Sequence, residues 1–187
     1  AATVIAATDP AAASALQGLL ASDRFRVYTN EDLVGCELGG ALKNVIALAA
    51  GMAEGLDTGD NARAALITRG LAEMTRLGVA LGGDPRTFAG LAGMGDVMAT
   101  CMSSQSRNRW VGEQVGRGAA PDRVLAGMDQ VAEGVRTATV ACELAASVAM
   151  EVPVAEGVRS VFDDGRSPTE VWSALMARRT GPEVATT

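Results

Sequence analysis

Lysine occurs once in the 187 residues, at Lys43, and every other basic side chain is arginine. It stands in Leu42-Lys43-Asn44. At helical spacing its row of neighbours is small: Cys36, Gly39/Gly40, Ala47 and Ala50. Such a row lets a backbone or a ligand come close to the ammonium. Lysine, unlike arginine, gives up its proton readily when desolvated. Lys43 is therefore a candidate general base, or a proton donor that polarises a carbonyl. The competing reading is a surface lysine that snorkels along its helix. Gly93-Met94-Gly95-Asp96 places a carboxylate after a glycine-rich turn, either as a helix cap or as a counter-charge for Lys43. Ser103-Ser104-Gln105-Ser106-Arg107-Asn108-Arg109 crowds hydroxyls, amides and guanidinium groups at one helix N-terminus. Free N–H groups there favour an anion, and Arg clamps phosphate bidentately. Val131-Ala132-Glu133-Gly134-Val135-Arg136-Thr137 holds a carboxylate that either pairs with Arg136 along the helix or reaches a ribose hydroxyl.

These groups need elements to carry them. Val4 to Ala7 is an apolar run stopped by Asp9-Pro10 and reads as a buried strand. A helix follows over about 10–20, with proline in its first turn, and Phe25 to Tyr28 alternates as a second strand. One β-α-β unit cannot cover both faces of a sheet, so it is expected to be the edge of a larger α/β domain. From Thr29 onward the pattern is helical, with Thr29 and Asp32 resembling a capping box. Leu38, Leu42, Val45, Ala49 and Met52 form the apolar stripe of the Lys43 helix. Asp57 to Asp60 is a turn. A second helix over 61–81 buries Leu66, Ile67, Gly70, Met74 and Leu77 and leaves Arg69, Glu73 and Arg76 on its polar side. Residues 88–95 read as a short helix plus loop, 105–116 as a helix. A helix over 132–150 places Val135, Ala138/Thr139, Cys142, Ala145 and Ala149 at core spacing. Pro153 opens a helix to Phe162. Ser167-Pro168-Thr169-Glu170 is a strong helix start that turns Val171, Trp172, Leu175 and Met176 to the core. The tail 180–187 is expected to fray.

Composition removes several functions. Hydrophobic residues make up 48% and charged residues 20%, a globular balance. A net charge of −6 lacks the basic field of a nucleic-acid binder. Histidine is absent, which removes the commonest general base and metal ligand. Cys36, Cys101 and Cys142 are odd in number, with no CxxC, so no disulfide framework and no metal site is expected. They read as small core hydrophobes in a cytoplasmic protein. The best apolar run, Val45 to Ala50, is short, and no transmembrane segment is expected. Neither GxGxxG nor Gx4GK[ST] occurs, so the sequence does not encode a complete dinucleotide fold.

The four polar groupings, in this order, resemble those of the bacterial-type NAD(P)-dependent glycerol-3-phosphate dehydrogenases. The matching stretches are Arg26-Val27-Tyr28-Thr29-Asn30, Glu37 to Ala47 around Leu-Lys-Asn, Gly59-Asp60-Asn61 and Ala65 to Gly70. Gly90 to Asp96, Ser106-Arg107-Asn108 and Glu133-Gly134 onward to about Arg178 complete them. The resemblance implies the C-terminal portion of such an enzyme, reversibly reducing dihydroxyacetone phosphate to sn-glycerol 3-phosphate with NAD(P)H for glycerophospholipid synthesis. It implies a mainly α fold. Residues 1–29 would be the trailing edge of the N-terminal NAD(P)-binding Rossmann domain. Residues 30–187 would be an all-helical substrate-binding domain of the 6-phosphogluconate-dehydrogenase-like type. Lys43 matches the catalytic lysine. Asp96, Ser106, Arg107 and Asn108 match substrate contacts, Arg107 also lying against the cofactor, with Val131 and Glu133 near the nicotinamide nucleotide. Taken alone, the chain is expected neither to bind NAD or NADP well nor to turn over. A related β-hydroxyacid-type dehydrogenase and a non-catalytic helical dimerisation module are the rival readings. Small-residue helices suit a homodimer interface as well as packing within a subunit.

Overall fold

The computed structural model describes residues 1–128 and 130–178; the expected frayed tail lies outside them. The first apolar runs form two strands, β1 (Ala2–Ala6) and β2 (Arg26–Asn30), paired in parallel with Ala2 opposite Arg26 and Ala6 opposite Asn30. Helix α1 (Pro10–Leu20) crosses between them. Asp9 caps it by accepting from the Ala11 N–H, and Pro10 fills its first turn, where a missing N–H costs nothing. The unit leaves Leu16, Leu19, Leu20 and Tyr28 exposed. The Thr29–Asp32 capping box does not form, because Thr29 is used in the strand ladder opposite Ile5. Asp32 caps the next helix instead. Its carboxylate accepts from the Gly35 N–H at 2.8 Å and from the Asp84 N–H at 2.8 Å, joining two helix starts.

The rest is helical. In order come α2 (Leu33–Gly55), α3 (Asp60–Ala80), α4 (Pro85–Ala89), a π-helical turn (Leu91–Gly95) and α5 (Asp96–Met102). They are followed by α6 (Arg107–Gly116), α7 (Pro121–Ala126), α8 (Glu133–Ser147), α9 (Pro153–Phe162) and α10 (Pro168–Ala177). Helix α2 is the central rod, packed by α3, α5, α6, α8 and α9. Every residue from Asn44 to Ala53 is buried, so the one-sided apolar stripe expected for this helix holds only before Asn44. Its 23 residues, with a mean hydropathy of 1.4 over the best window, are long and apolar enough to cross a membrane. The short run Val45 to Ala50 singled out in the sequence is part of this longer apolar helix, and 56% of its best window is buried inside the fold. In this fold it is the core helix.

Helix α6 lies closest to α2, and the sequence explains why. A Cβ at Gly51 would overlap the Arg109 carbonyl oxygen, and one at Gly55 that of Glu113. Conversely, a Cβ at Gly112 or Gly116 would overlap the carbonyl oxygens of Leu48 or Met52. Two glycines one turn apart on each helix thus let the backbones touch.

Three other expectations change. Glu73 is buried in α3, not on a polar side, because α9 begins against it and needs its carboxylate. Helix α8 ends at Ser147, and Ala149 turns away at φ 52°, exposed, rather than serving the core. Met176 is exposed, while Val171 is buried and Trp172 and Leu175 pack against the core. The capping box at Ser167 and Glu170 forms as expected. Cys101 and Cys142 are buried free thiols and Cys36 is half-buried; burial pushes the Cys101 thiol up to about 12.

Candidate functional site

The N-terminal half of α2 faces the glycine-rich segment. Gly39 lies so close to Ala92 that an added Cβ would stand 2.8 Å from its carbonyl oxygen. One turn on, Lys43 points at the start of α5. Its Nζ donates to Asp96 Oδ2 at 2.5 Å, across 53 residues of sequence. The cap reading of Asp96 does not hold. Its backbone is already helical, at φ −73° and ψ −34°, leaving the carboxylate available for Lys43. Thr100 Oγ1 donates to the Asp96 carbonyl at 2.6 Å. The pair is 24% and 37% exposed, so water or a ligand can reach it, and the ion pair itself adds little stability.

Asn44, the next residue on α2, is buried and joins two other helices. Its Oδ1 accepts from Asn108 Nδ2 at 2.9 Å, and Asn108 Oδ1 accepts from the Gly134 N–H at 3.0 Å. Asn108 is the second residue of α6 and Gly134 the second of α8. Two helix N-termini therefore meet beside the residue that follows Lys43. Ser106 caps α6 through the Arg109 N–H, and Ala132 gives α8 no side-chain cap. Such ends carry positive partial charge and donors directed outward, an arrangement that suits an anion.

Arg107 opens α6 on the surface, where Nη1 donates to Gln130 Oε1 at 2.6 Å. Val131 beyond it is 75% exposed, and Glu133 begins α8, also exposed. Of the residues singled out in the sequence, the structure joins Lys43 to Asp96 directly and Asn108 to the lysine's helix through Asn44. Arg107, Val131 and Glu133 lie at the starts of α6 and α8 without touching Lys43 through any hydrogen bond. Arg109, in the same polar cluster, is committed elsewhere: it binds Glu54 and Glu113. The sequence reading gave no role to Asn44, Gln130 or Gly134. Asn44 had a signal, as an amide directly after the lone lysine on a face that is otherwise apolar. Gln130 had none beyond adjacency to Val131. Among the described residues no group of His, Cys, Asp and Glu is placed to hold a metal.

Known proteins match this chain along most of its length. The family described as NAD-dependent glycerol-3-phosphate dehydrogenase C-terminus matches residues 32–173. Glycerol-3-phosphate dehydrogenase (NAD(P)+) 2 of Sphingopyxis alaskensis is 52% identical over 183 residues, 98% of this chain and 55% of the relative. The glycerol-3-phosphate dehydrogenase (NAD(P)+) of Parafrankia sp. is 54% identical over the same shares. The crystal structure of glycerol-3-phosphate dehydrogenase from Coxiella burnetii superposes with a TM-score of 0.91 at 39% identity, covering 95% of this chain and 55% of that one. The chain thus spans about half the length of the curated relatives it matches. Its helical region, from the Asp32 cap through the lysine helix to α10, belongs to the NAD-dependent glycerol-3-phosphate dehydrogenase family.

Proposed function

We propose that this chain is the substrate-side portion of an enzyme that interconverts dihydroxyacetone phosphate and sn-glycerol 3-phosphate with NAD or NADP. In this reading residues 1–29 are the trailing edge of an NAD(P)-binding domain. The helical remainder is a substrate domain of the 6-phosphogluconate-dehydrogenase-like type. The parallel β1–β2 pair with its exposed Tyr28 supports that division, since two strands alone leave a sheet uncovered.

The observation that carries the proposal is the half-exposed Lys43–Asp96 pair. Reduction of a ketone places negative charge on its oxygen, and a positioned ammonium both stabilises that charge and delivers the proton. Lys43 gives its proton to the carbonyl oxygen in reduction and takes it back in oxidation. Asp96 holds the ammonium in one direction. The substrate phosphate is met by the N-terminus of α6 with Ser106, Arg107 and Asn108, whose donors fix one end of the molecule and so orient the other. The nicotinamide cofactor would supply the hydride equivalent when bound. Exposed Arg107, Glu133 and Val131 offer a cation for a phosphate, a carboxylate for a hydroxyl and an apolar contact, a set that fits one edge of a dinucleotide. They would hold that edge alone, and this chain by itself is expected to be inactive.

The test is NAD(P)H oxidation by the full-length protein with dihydroxyacetone phosphate near neutral pH, beside Lys43→Ala. Turnover that collapses in a folded variant supports reaction and residue together. Turnover that survives keeps the reaction and removes Lys43 from it. A wild-type protein without turnover overturns the proposal.

A further inference from the structure

Arg109 was a candidate phosphate ligand on sequence grounds, yet its side chain is only 12% exposed and its Nε and Nη1 are engaged inside the protein. Nη1 donates to Glu54 Oε2 at 2.5 Å and to Glu113 Oε2 at 3.3 Å. Behind those carboxylates stand further cations: Arg63 lies 3.3 Å from Glu54 and Arg117 2.5 Å from Glu113. Three guanidinium groups and two carboxylates thus alternate where the C-terminal end of α2 meets α3 and α6. Nε has a different acceptor, the Ser103 carbonyl oxygen at 3.0 Å. That carbonyl also receives the Ser106 N–H at 3.2 Å, and the Arg109 N–H is in turn capped by Ser106 Oγ at 3.3 Å. The turn 103–106 is therefore held at both ends by one arginine whose head is locked to α2.

We propose that Arg109 is a positioning residue for phosphate recognition. It fixes the turn 103–106 and the first turn of α6, so that the Ser106 and Asn108 donors and the backbone of Arg107 stand where the phosphate arrives. This rests on the function proposed above and assigns Arg109 no contact with substrate. Geometry makes the role specific to arginine. A planar fork can serve Ser103 with Nε while Nη1 holds Glu54 and Glu113; a lysine ammonium is one point and cannot span both. With Arg109→Lys the charge network keeps a cation, but the Ser103 carbonyl loses its side-chain donor and the turn loosens. A loosened turn meets the phosphate less well in the ground state and the transition state alike, which is a loss of uniform binding.

The experiment compares two substrates in the full-length protein: dihydroxyacetone phosphate, and dihydroxyacetone, which lacks the phosphate. Arg109→Lys is expected to raise KM for the phosphorylated substrate about tenfold with kcat within about twofold, and to leave kcat/KM for dihydroxyacetone within about twofold. Glu54→Gln, which weakens the lock without touching the turn, is expected to move the same ratio in the same direction by a smaller factor. Equal losses on both substrates, or none on either in an active protein, overturn the inference while leaving the proposed function standing. If Arg109→Lys does not fold, the substrate ratio of Glu54→Gln decides alone. A wild-type protein that reduces neither substrate overturns the proposed function and this inference with it.

Discussion

The two halves of α2 are built for opposite purposes. From Asn44 to Gly55 the helix is enclosed: its glycines lie against the backbone of α6, and its end is tied by Glu54 to Arg109 and Arg63. From Leu33 to Lys43 it is open, with a glycine against the Ala92 carbonyl and a lysine paired to one half-exposed carboxylate. The charges at the packed end form a chain of five, Arg63, Glu54, Arg109, Glu113 and Arg117, whereas Lys43 and Asp96 have only each other as ionic partners among the described residues. The difference shows how a single helix can hold a reactive side chain in place and still admit substrate. Rigidity comes from the end that is packed, and access from the end that is not.

Breaking the open half should cost chemistry and little stability. Lys43→Ala in the full-length protein is expected to lower kcat about 10³-fold, with the thermal midpoint moved by no more than about 2 °C, since a half-exposed ion pair contributes little. Steady-state kinetics and a melt on the same sample check both parts. A large fall in midpoint with kcat retained would make the pair structural and erase the contrast. Asp96→Asn keeps the shape and loses the charge, and is expected to lower kcat about 10²-fold.

Breaking the packed half should do the reverse. Gly112→Ala places a methyl on the Leu48 carbonyl oxygen, and since both groups are helix backbone neither yields without moving a helix. A loss of about 3 kcal/mol is expected in denaturant unfolding. Unchanged stability would mean that α2 and α6 are free to separate, and the held half would not be held.

How far these halves could be read beforehand differed with the kind of signal. Local signals were legible: Pro10, Pro153 and the Ser167 capping box start helices where they were expected to. The lone lysine drew attention to the site without any structure. Partnerships across long separations were not legible. Nothing near Arg109 says that its fork will face Glu54 and not a ligand, because the two are 55 residues apart. Likewise Asn44 reads as one more residue of a helix until Asn108 is brought to it. Glu73 looked like the middle of an exposed Arg-Glu-Arg series, since periodicity reports which residues share a face and not what docks on it. The pairing of Lys43 with Asp96 was suggested by order and by resemblance, and only the fold supplied the distance.

Glu73 sharpens the comparison from a third side of α2, where α3 and α9 meet. Its two carboxylate oxygens lie 3.0 and 2.9 Å from the Val154 N–H, at the start of α9. Unlike Glu54 and Glu113, it makes no ion pair among the described residues. Burial pushes its carboxyl up to about 7, outweighing the Val154 and Ala155 N–H groups and Arg76, which pull it down; Glu156 adds to the upward push. A pKa raised above the unfolded value of 4.5 means that the folded state binds the proton more tightly. The stabilising contribution is then complete below about pH 4.5 and is lost as the pH rises through about 7. Between pH 5.5 and 8 this one group is expected to remove about 2 kcal/mol from the stability of the full-length protein. Denaturant unfolding across that range measures the slope, and Glu73→Gln, which cannot ionise, should flatten it. If the slope persists unchanged in Glu73→Gln, the buried carboxylate at the meeting of α3 and α9 is not its source, and the pH-sensitive charge lies elsewhere in the molecule.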